Sequence, residues 1–171
     1  MHNACLIRPV VHADLPILLT WRNHPDVRQF MLSQHEISLK EHLQWFASVS
    51  IDPSRKLMII EDTTQPIGFV QFSNVADGGI ADWGFYTRPG AKKGTGRELG
   101  LIALNYAFQS LKVHKVCGRA IESNKSSIIL HKRLGFSNEG ILRDQQRIGC
   151  TYHSLFCFGL LAWEWNAEKL F

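Results

Sequence analysis

Three strand-like segments in the middle of the chain, followed at once by a glycine-containing loop and a long helical pattern, constrain the fold most strongly. The segments at residues 56–61, 67–73 and 81–87 are rich in the β-branched and aromatic residues typical of strands. Turn-forming residues cluster between them, at 62–66 and 77–79. Because these connections are short, the three segments are predicted to form an antiparallel meander.

Helical patterns precede this meander. A short strand pattern at 5–9 is followed by apolar residues at helical spacing from Asp14, with an interruption expected near Pro25. Ser38 and Glu41 have the spacing of a capping box, in which each side chain accepts from the other's backbone N–H. A second helix is therefore predicted to begin at Ser38.

Helices and strands alternate after the meander. The expected elements are a helix with apolar residues from Leu99 to Leu111, a strand at 113–121, a helix at 126–134 ending at Gly135, and strands at 137–143 and 151–161. This order predicts an α/β (α+β) fold with a mixed, mostly antiparallel twisted sheet and helices on both faces. No linker interrupts the chain, so residues 1–171 are expected to form one domain.

The loop between the third strand and the helix carries the strongest chemical signal. Gly94 and Gly96 allow the backbone to turn sharply and to bring its N–H groups close to an anion. The following helix N-terminus adds partial positive charge, and Lys92, Lys93 and Arg97 add full charges that suit phosphate. The spacing matches neither a Walker loop nor a dinucleotide fingerprint. The loop is therefore interpreted as a phosphate cradle of another kind, with a solvated turn as the alternative.

Two elements make the chain resemble the GNAT family of acetyltransferases. Residues 91–96, Ala-Lys-Lys-Gly-Thr-Gly, are similar to the family's R/Q-x-x-G-x-G/A, with Ala91 in place of Arg or Gln. Residues 124–136 are similar to N-x-x-S/A-x-x-x-Y-x-K/R-x-G-F. The resemblance implies acetyl-CoA as cofactor, a missing charge supplied by Arg88, Lys92 or Lys93, and direct attack of an amine on the thioester. The cofactor-binding residues that it implies are Phe85, Tyr86, Thr87, Lys92, Lys93, Gly94, Thr95, Gly96, Arg97, Asn124, Ser127 and His131.

Two residues are candidates for catalysis. His131 occupies the position of the family's Tyr, which implies that it protonates the departing thiolate; the alternative is a histidine that packs beside pantetheine. Glu122, two residues before Asn124, is expected at a strand end, where it would act as a general base through a water. Its alternative is a charged side chain paired with a neighbour.

The N-terminal half carries the information on the acceptor. Residues 21–28, Trp-Arg-Asn-His-Pro-Asp-Val-Arg, resemble the W-R-N-x-P-x-V-R of acetyltransferases in bacterial pseudaminic-acid biosynthesis. That resemblance implies acetylation of the 4-amino group of a UDP-linked 4-amino-4,6-dideoxy sugar of the altrosamine type, for flagellin glycosylation. Arg22, Arg28 and His42 would meet the diphosphate. The expected substrate-binding residues are Arg22, Asn23, His24, Arg28, Phe30, Met31 and His42.

Other function classes stay open or are disfavoured. A protein N-terminal acetyltransferase of the ribosomal-protein type and a non-catalytic acyl-CoA-binding sensor are the alternatives. The net charge is only +4 without a basic stripe, so a nucleic-acid partner is not indicated. The four cysteines lack zinc spacing, and no metal site is expected. With neither a signal peptide nor a membrane-spanning run, the chain is expected in the cytoplasm, as a monomer or homodimer.

Overall fold

One seven-stranded sheet forms the centre of the chain in a computed structural model that describes residues 5–166 and 168. Its strands are β1 (Leu6–Pro9), β2 (Lys56–Glu61), β3 (Pro66–Ser73), β4 (Ile80–Thr87), β5 (Lys115–Ile121), β6 (Ser137–Ile148) and β7 (Thr151–Leu161). The order across the sheet is β1-β2-β3-β4-β5-β7-β6. All neighbouring pairs are antiparallel except β4 and β5, which confirms the predicted mixed, mostly antiparallel sheet.

The domain was predicted to span residues 1–171, of which residues 1–4, 167 and 169–171 lie outside the described part of the chain. The N-terminal segment that was searched for a signal peptide begins in this undescribed part. Within the described residues, no helix is long and apolar enough to cross a membrane.

In the described part of the chain, five α-helices pack around the sheet. They are α1 (Leu15–Asn23), α2 (Pro25–Arg28), α3 (Leu39–Ser50), α4 (Thr95–Asn105) and α5 (Lys125–Arg133), with a 3₁₀ turn at His12–Asp14 and a π-helical turn at Tyr106–Ser110. Pro25 begins α2, which confirms the expected interruption. The capping box is also confirmed: Ser38 Oγ accepts from the Glu41 N–H at 3.2 Å, and Glu41 Oε2 accepts from the Ser38 N–H at 2.7 Å.

The two faces of the sheet bury separate cores. On one face, Ile59 and Phe69 pack with Leu15 and Leu18 of α1. On the other face, alternate residues of the same strands, Met58, Ile60, Val70 and Phe72, pack with Leu99 and Leu104 of α4. Because successive strand side chains point to opposite faces, β2 and β3 serve both cores. Helices therefore cover both faces, as the sequence predicted.

The central pair of parallel strands separates partway along its length. β4 and β5 pair only from Ile80 to Asp82 of β4, opposite Lys115 to Cys117 of β5. Beyond that point β4 remains paired with β3, and β5 remains paired with β7. The sheet therefore opens in its middle, and this opening positions the site.

One strand differs from its prediction in length. β6 extends to Ile148 rather than ending at residue 143, and its pairing with β7 shifts register between Leu142 and Gln146. The bulge interrupts the alternation on which the sequence prediction depended.

Candidate active site

A groove of about 400 Å³ lies where β4 and β5 separate; it is called the central groove here. Its walls are Trp83 and Phe85 of β4, residues 119–121 of β5, and Asn124 and His131 of α5 and its N-cap. Beyond Asp82 the β5-facing edge of β4 has no ladder partner among the described strands. Its backbone groups on that side are therefore available to an extended ligand.

The glycine loop lies between β4 and α4. Gly94 is the N-cap of α4 with φ +102°, and no side chain caps this helix start. A Cβ at Gly94 would meet nothing within 4 Å, so glycine is required there by backbone conformation and not by space. The first amides of α4 and their partial positive charge are suited to a phosphate.

The charge missing at Ala91 has two exposed candidates. Lys92 and Lys93 are both exposed beside the uncapped helix start. Arg88 Nη1 instead donates to Gln65 Oε1, which ties that guanidinium to the β2–β3 turn. The two lysines are the side chains better placed to neutralise a phosphate.

The predicted cofactor residues of β4 divide between the two faces of the sheet. Phe85 borders the central groove, while the side chain of Tyr86 lies on the opposite face. Thr87 lies beside Gly96, at whose position an added Cβ would be 3.9 Å from Thr87 Cγ2. Alternation along the strand produces this division, so any role of Tyr86 toward a ligand in the groove falls to its backbone.

His131 forms a buried wall of the central groove. It is 1 % exposed, the Trp83 indole N–H donates to its Nε2 at 3.2 Å, and its Nδ1 lies 2.8 Å from the Ser127 carbonyl oxygen. Phe158 stacks on the ring at 4.7 Å between centroids. Burial lowers the pKa of His131. The ring is therefore neutral with both nitrogens engaged, an arrangement that favours the packing alternative; the proton-donor role expected from the sequence stays a prediction.

Gly118 makes room for this histidine. A Cβ at Gly118 would overlap His131 Nε2 and the Trp83 indole nitrogen. The Trp83–His131 contact thus depends on a glycine in the neighbouring strand.

Glu122 directly follows β5 but is not one of the described residues that line the central groove. Its Oε1 is 3.6 Å from His153 Nδ1, and its side chain is 42 % exposed. Nor does Glu122 line the second cavity, which is described below. These contacts match a charged side chain paired with a neighbour. Asn124 has a local function as well, because its Oδ1 caps α5 by accepting from the Ser127 N–H at 3.0 Å.

A second cavity of about 350 Å³, called the side cavity here, lies on the face of the sheet covered by α3. It is a neighbour of the central groove, with which it shares four lining residues, Met31, Gln71, Gly84 and Phe85. The remaining lining residues are Arg22, His35, Ile37, Glu41, His42, Trp45, Phe69 and Tyr86. The side cavity therefore lies close to the point where β4 and β5 separate.

Two polar atoms bordering the side cavity have no partner. Arg22 Nη2 donates to the Ser33 carbonyl oxygen at 2.6 Å, whereas the buried Arg22 Nη1 makes no hydrogen bond. His42 is 5 % exposed, and its buried Nε2 makes none either. Burial lowers the pKa of His42 and raises that of Tyr86, so both side chains are uncharged near neutral pH.

Most of the other residues predicted to bind the acceptor substrate make contacts within the chain. Asn23 exchanges two hydrogen bonds, both 2.8 Å long, with the backbone of Ile37. His24 Nδ1 accepts from the Asp26 N–H at 3.2 Å. Arg28 Nη1 lies 3.7 Å from Glu36 Oε2. These contacts fix the segment that covers the side cavity. Of the seven predicted residues, Arg22, Met31 and His42 border that cavity, and Phe30 borders the central groove.

Several lining residues were missed from the sequence. Phe69 and Gln71 of β3 and Gly84 and Tyr86 of β4 line one continuous face, and Asp82 lines the central groove. Strict alternation along β3 and β4 was the available signal, since residues two apart share a face. The alternation does not show which face a ligand would use.

Comparisons with known proteins agree with this geometry. The acetyltransferase (GNAT) domain family matches residues 5–137. Acetyltransferase PseH of Campylobacter jejuni (strain 81-176) is 30% identical over 124 residues, which are 72% of this chain and 77% of that protein. The putative ribosomal N-acetyltransferase YdaF of Bacillus subtilis is 35% identical over 66 residues, which are 39% of this chain and 36% of that protein.

Solved structures show the same fold. The spermidine N-acetyltransferase of Vibrio cholerae, determined in complex with CoA and spermine, superposes with a TM-score of 0.87 at 21% identity. The superposition covers 94% of this chain and 96% of that chain.

Proposed function

The chain belongs to the GNAT family of acetyltransferases and is an acetyl-CoA-dependent N-acetyltransferase; on that premise, we propose that it acetylates the 4-amino group of a UDP-linked 4-amino-4,6-dideoxy sugar. The observation that carries the proposal is the side cavity, which lies next to the central groove and is lined by Arg22 beside aromatic rings. A nucleotide sugar offers both a ring to stack and polar groups to pair.

The glycine loop and the residues of the central groove fit acetyl-CoA. The uncapped start of α4, with Gly94 at φ +102° and Lys92 and Lys93 beside it, suits the pyrophosphate. The unpaired edge of β4 after Asp82 suits the amides of pantetheine. When bound, acetyl-CoA supplies an acetyl group activated as a thioester.

The chain's own residues position the acceptor amine and receive its proton. Asp82 lies on the last paired position of β4 and borders the central groove, and its Oδ2 accepts from Asn74 Nδ2 at 2.9 Å. Its carboxylate is placed to hold the acceptor ammonium and to take a proton from it before the amine attacks directly. We propose Asp82 for this role in preference to Glu122, which is tied to His153. His131, held neutral by Trp83 and Ser127, keeps the groove wall in place.

The sugar assignment has two supports. Residues 21–28 resemble the pseudaminic-acid subgroup, and the relative named PseH matches 72% of the chain. The proposed product would decorate flagellin after synthesis in the cytoplasm. Arg22, Met31 and His42, three of the residues expected from that resemblance, border the side cavity.

An acceptor panel tests the proposal. Purified protein is incubated with acetyl-CoA and either UDP-4-amino-4,6-dideoxy sugars, N-terminal peptides or spermidine, and thiol release and product mass are measured. We expect a kcat/KM at least about 100-fold higher for one UDP-amino sugar than for any peptide or polyamine. Comparable turnover of peptides, or none of the sugars, would contradict it.

A protein N-terminal acetyltransferase is the second candidate, because the relative YdaF carries a putative ribosomal assignment. The covered side cavity favours the smaller acceptor. The segment over it is held by Asn23, by the Arg22–Ser33 contact and by Gln146 Nε2, which donates to the Leu32 carbonyl oxygen at 3.3 Å. A peptide would need this segment to open, so limited proteolysis with and without peptide provides a second readout.

A further inference from the structure

Arg119 of β5 is an exposed cation that lines the central groove. Within the described part of the chain, its guanidinium takes part in no hydrogen bond and no ion pair. Two other arginines expected to bind the acceptor are already engaged: Arg28 Nη1 lies 3.7 Å from Glu36 Oε2, and Arg22 Nη2 donates to the Ser33 carbonyl oxygen. Because Arg119 is both exposed and unpaired, its N–H donors are available to a ligand in the groove.

The strand register places Arg119 on the same face of the sheet as Asp82. Asp82 of β4 is paired with Cys117 of β5, and Arg119 follows two residues further along β5. Side chains two residues apart on a strand share a face, so those of Asp82, Cys117 and Arg119 lie on one side of the sheet. The strand spacing and the rise per residue put the Cα atoms of Asp82 and Arg119 at least about 8 Å apart. A carboxylate and a guanidinium therefore border the groove from neighbouring strands.

The charges that line the central groove are one of each sign. Burial lowers the pKa of His131 and raises that of Cys117, so both of these lining residues are uncharged near neutral pH. Among the described lining residues this leaves Asp82 and Arg119 as the charged pair. A ligand with ammonium groups alone would pair with Asp82 and bring a like charge toward Arg119. The groove therefore favours an amine that also carries an anionic group.

From this arrangement we propose that Arg119 binds the phosphate attached to the acceptor sugar, while Asp82 holds the amine at the other end of the sugar ring. In a 4-amino sugar linked through C1, the amine and the phosphate lie at opposite ends of the pyranose ring, which suits two opposite charges on neighbouring strands. The planar guanidinium can form two parallel hydrogen bonds with phosphate oxygens. Arg119 then selects an anionic acceptor and repels the additional ammonium groups of a polyamine.

This inference rests on the proposed function, since it assigns the phosphate of a nucleotide-linked acceptor. Its first test needs no variant. The wild-type protein is given the 4-amino-4,6-dideoxy sugar either as the 1-phosphate or as the neutral methyl glycoside, and acetylation is followed at one salt concentration. We expect the KM of the methyl glycoside to be at least about 30-fold higher, because it leaves the guanidinium without its charged partner.

Variants test the residue itself. Arg119→Gln removes the charge, so it should raise the KM of the 1-phosphate by about 30-fold and leave that of the methyl glycoside within about twofold. Arg119→Lys keeps the charge without the paired hydrogen bonds and should retain part of the preference. Arg133→Gln is the matched control, because Arg133 is exposed on α5 and lies outside the groove lining. This control should leave both KM values unchanged.

The outcomes separate the inference from the proposed function. Equal KM values for the 1-phosphate and the methyl glycoside, or an unchanged difference between them in a folded Arg119→Gln, would overturn the assignment of Arg119 even if UDP-amino sugars are acetylated. An equal loss of acetyl-CoA affinity in Arg119→Gln, measured by calorimetry, would overturn it as well, because the arginine would then bind the donor. Failure of every nucleotide sugar to be acetylated, with acetyl-CoA binding intact, would overturn the proposed function and this assignment with it.

Discussion

The central groove and the side cavity lie on neighbouring parts of one sheet but are built differently. The central groove and the glycine loop, proposed to hold the acetyl-CoA donor, depend on local backbone features: a left-handed Gly94, an uncapped helix start and a strand edge left unpaired after Asp82. The side cavity depends on side chains from distant segments, with Arg22 of α1, His42 of α3 and Tyr86 of β4 meeting around it. Contacts made by the backbone suit acetyl-CoA, the donor used throughout the family, because they do not depend on side-chain identity. Contacts made by side chains change with substitution and can therefore select different acceptor substrates.

Replacing Gly94 tests the backbone half and should have the largest effect. Gly94→Val forces a β-branched residue to φ +102° and shifts the first amides of α4, so acetyl-CoA affinity should fall by about 100-fold in calorimetry. Gly78→Val is the matched control. Gly78 has φ +66° and nothing within 4 Å of an added Cβ, but it lies in the β3–β4 connection. It should lose stability with little change in affinity, and similar losses of affinity in both variants would contradict the cradle.

Replacing Arg22 tests the side-chain half. Arg22→Met removes the guanidinium group but keeps a side chain of similar volume. The KM for the acceptor substrate should rise by about 30-fold, while the affinity for acetyl-CoA stays within about twofold. The free energy of unfolding should change by less than about 1 kcal/mol, because a poorly satisfied buried charge is lost together with its one bond to Ser33. An equal loss of donor and acceptor binding would show that the two cavities are not separable.

Substitutions at two carboxylates test which residue takes the proton from the acceptor amine. Asp82→Asn should lower kcat by about tenfold or more, because it removes the carboxylate proposed to take the proton of the amine. Glu122→Gln, the matched isosteric change, should lower kcat by less than about twofold, because Glu122 faces His153. The reverse ranking would restore Glu122 as the base expected from the sequence.

The pH dependence of stability gives the smallest expected effect. Burial lowers the pKa of His131 below the value of about 6.5 in the unfolded chain, so the unfolded chain binds more protons below that pH. Its contribution to stability is complete above pH 6.5 and is lost as the pH falls toward the lowered folded value. Between pH 6.5 and 5.5 this amounts to at most about 1 kcal/mol, measured by urea unfolding.

A matching variant assigns that effect. His131→Phe should flatten the stability profile between pH 6.5 and 5.5 by at most about 1 kcal/mol, whatever its overall stability. A basic limb of the pH–rate profile that disappears in His131→Phe would support the proton-donor role of this histidine, because a general acid loses its activity when it is deprotonated.

Most of the fold could be predicted from local patterns. Ser38 and Glu41 form the expected capping box, Pro25 begins a new helix, and the strands of the meander lie within one residue of their predicted bounds. Each depends on neighbours in the sequence, where propensity and periodicity act directly. β6 was predicted too short because its bulge depends on pairing with β7.

The site was predicted less completely. Asn23, His24 and Arg28 lie in the motif that suggested the acceptor, yet they hold the chain around the cavity. Their residue types suit a ligand as well as a neighbouring backbone, so the sequence did not separate the two uses. His131 shows the same limit: its position in the motif implied proton transfer, whereas Trp83 and Ser127 occupy both of its nitrogens.

The sequence by itself determined that the protein uses acetyl-CoA. The glycine loop, the start of α4 and the alternation along β4 are each encoded within a few consecutive residues. Only the tertiary structure decided which residues line the side cavity, which we propose as the acceptor side. Arg22, His42 and Tyr86 are far apart in the chain and come together only when α1 and α3 pack on the sheet. A cavity lined by distant segments is a property of the assembled fold, so no pattern of neighbouring residues reveals it.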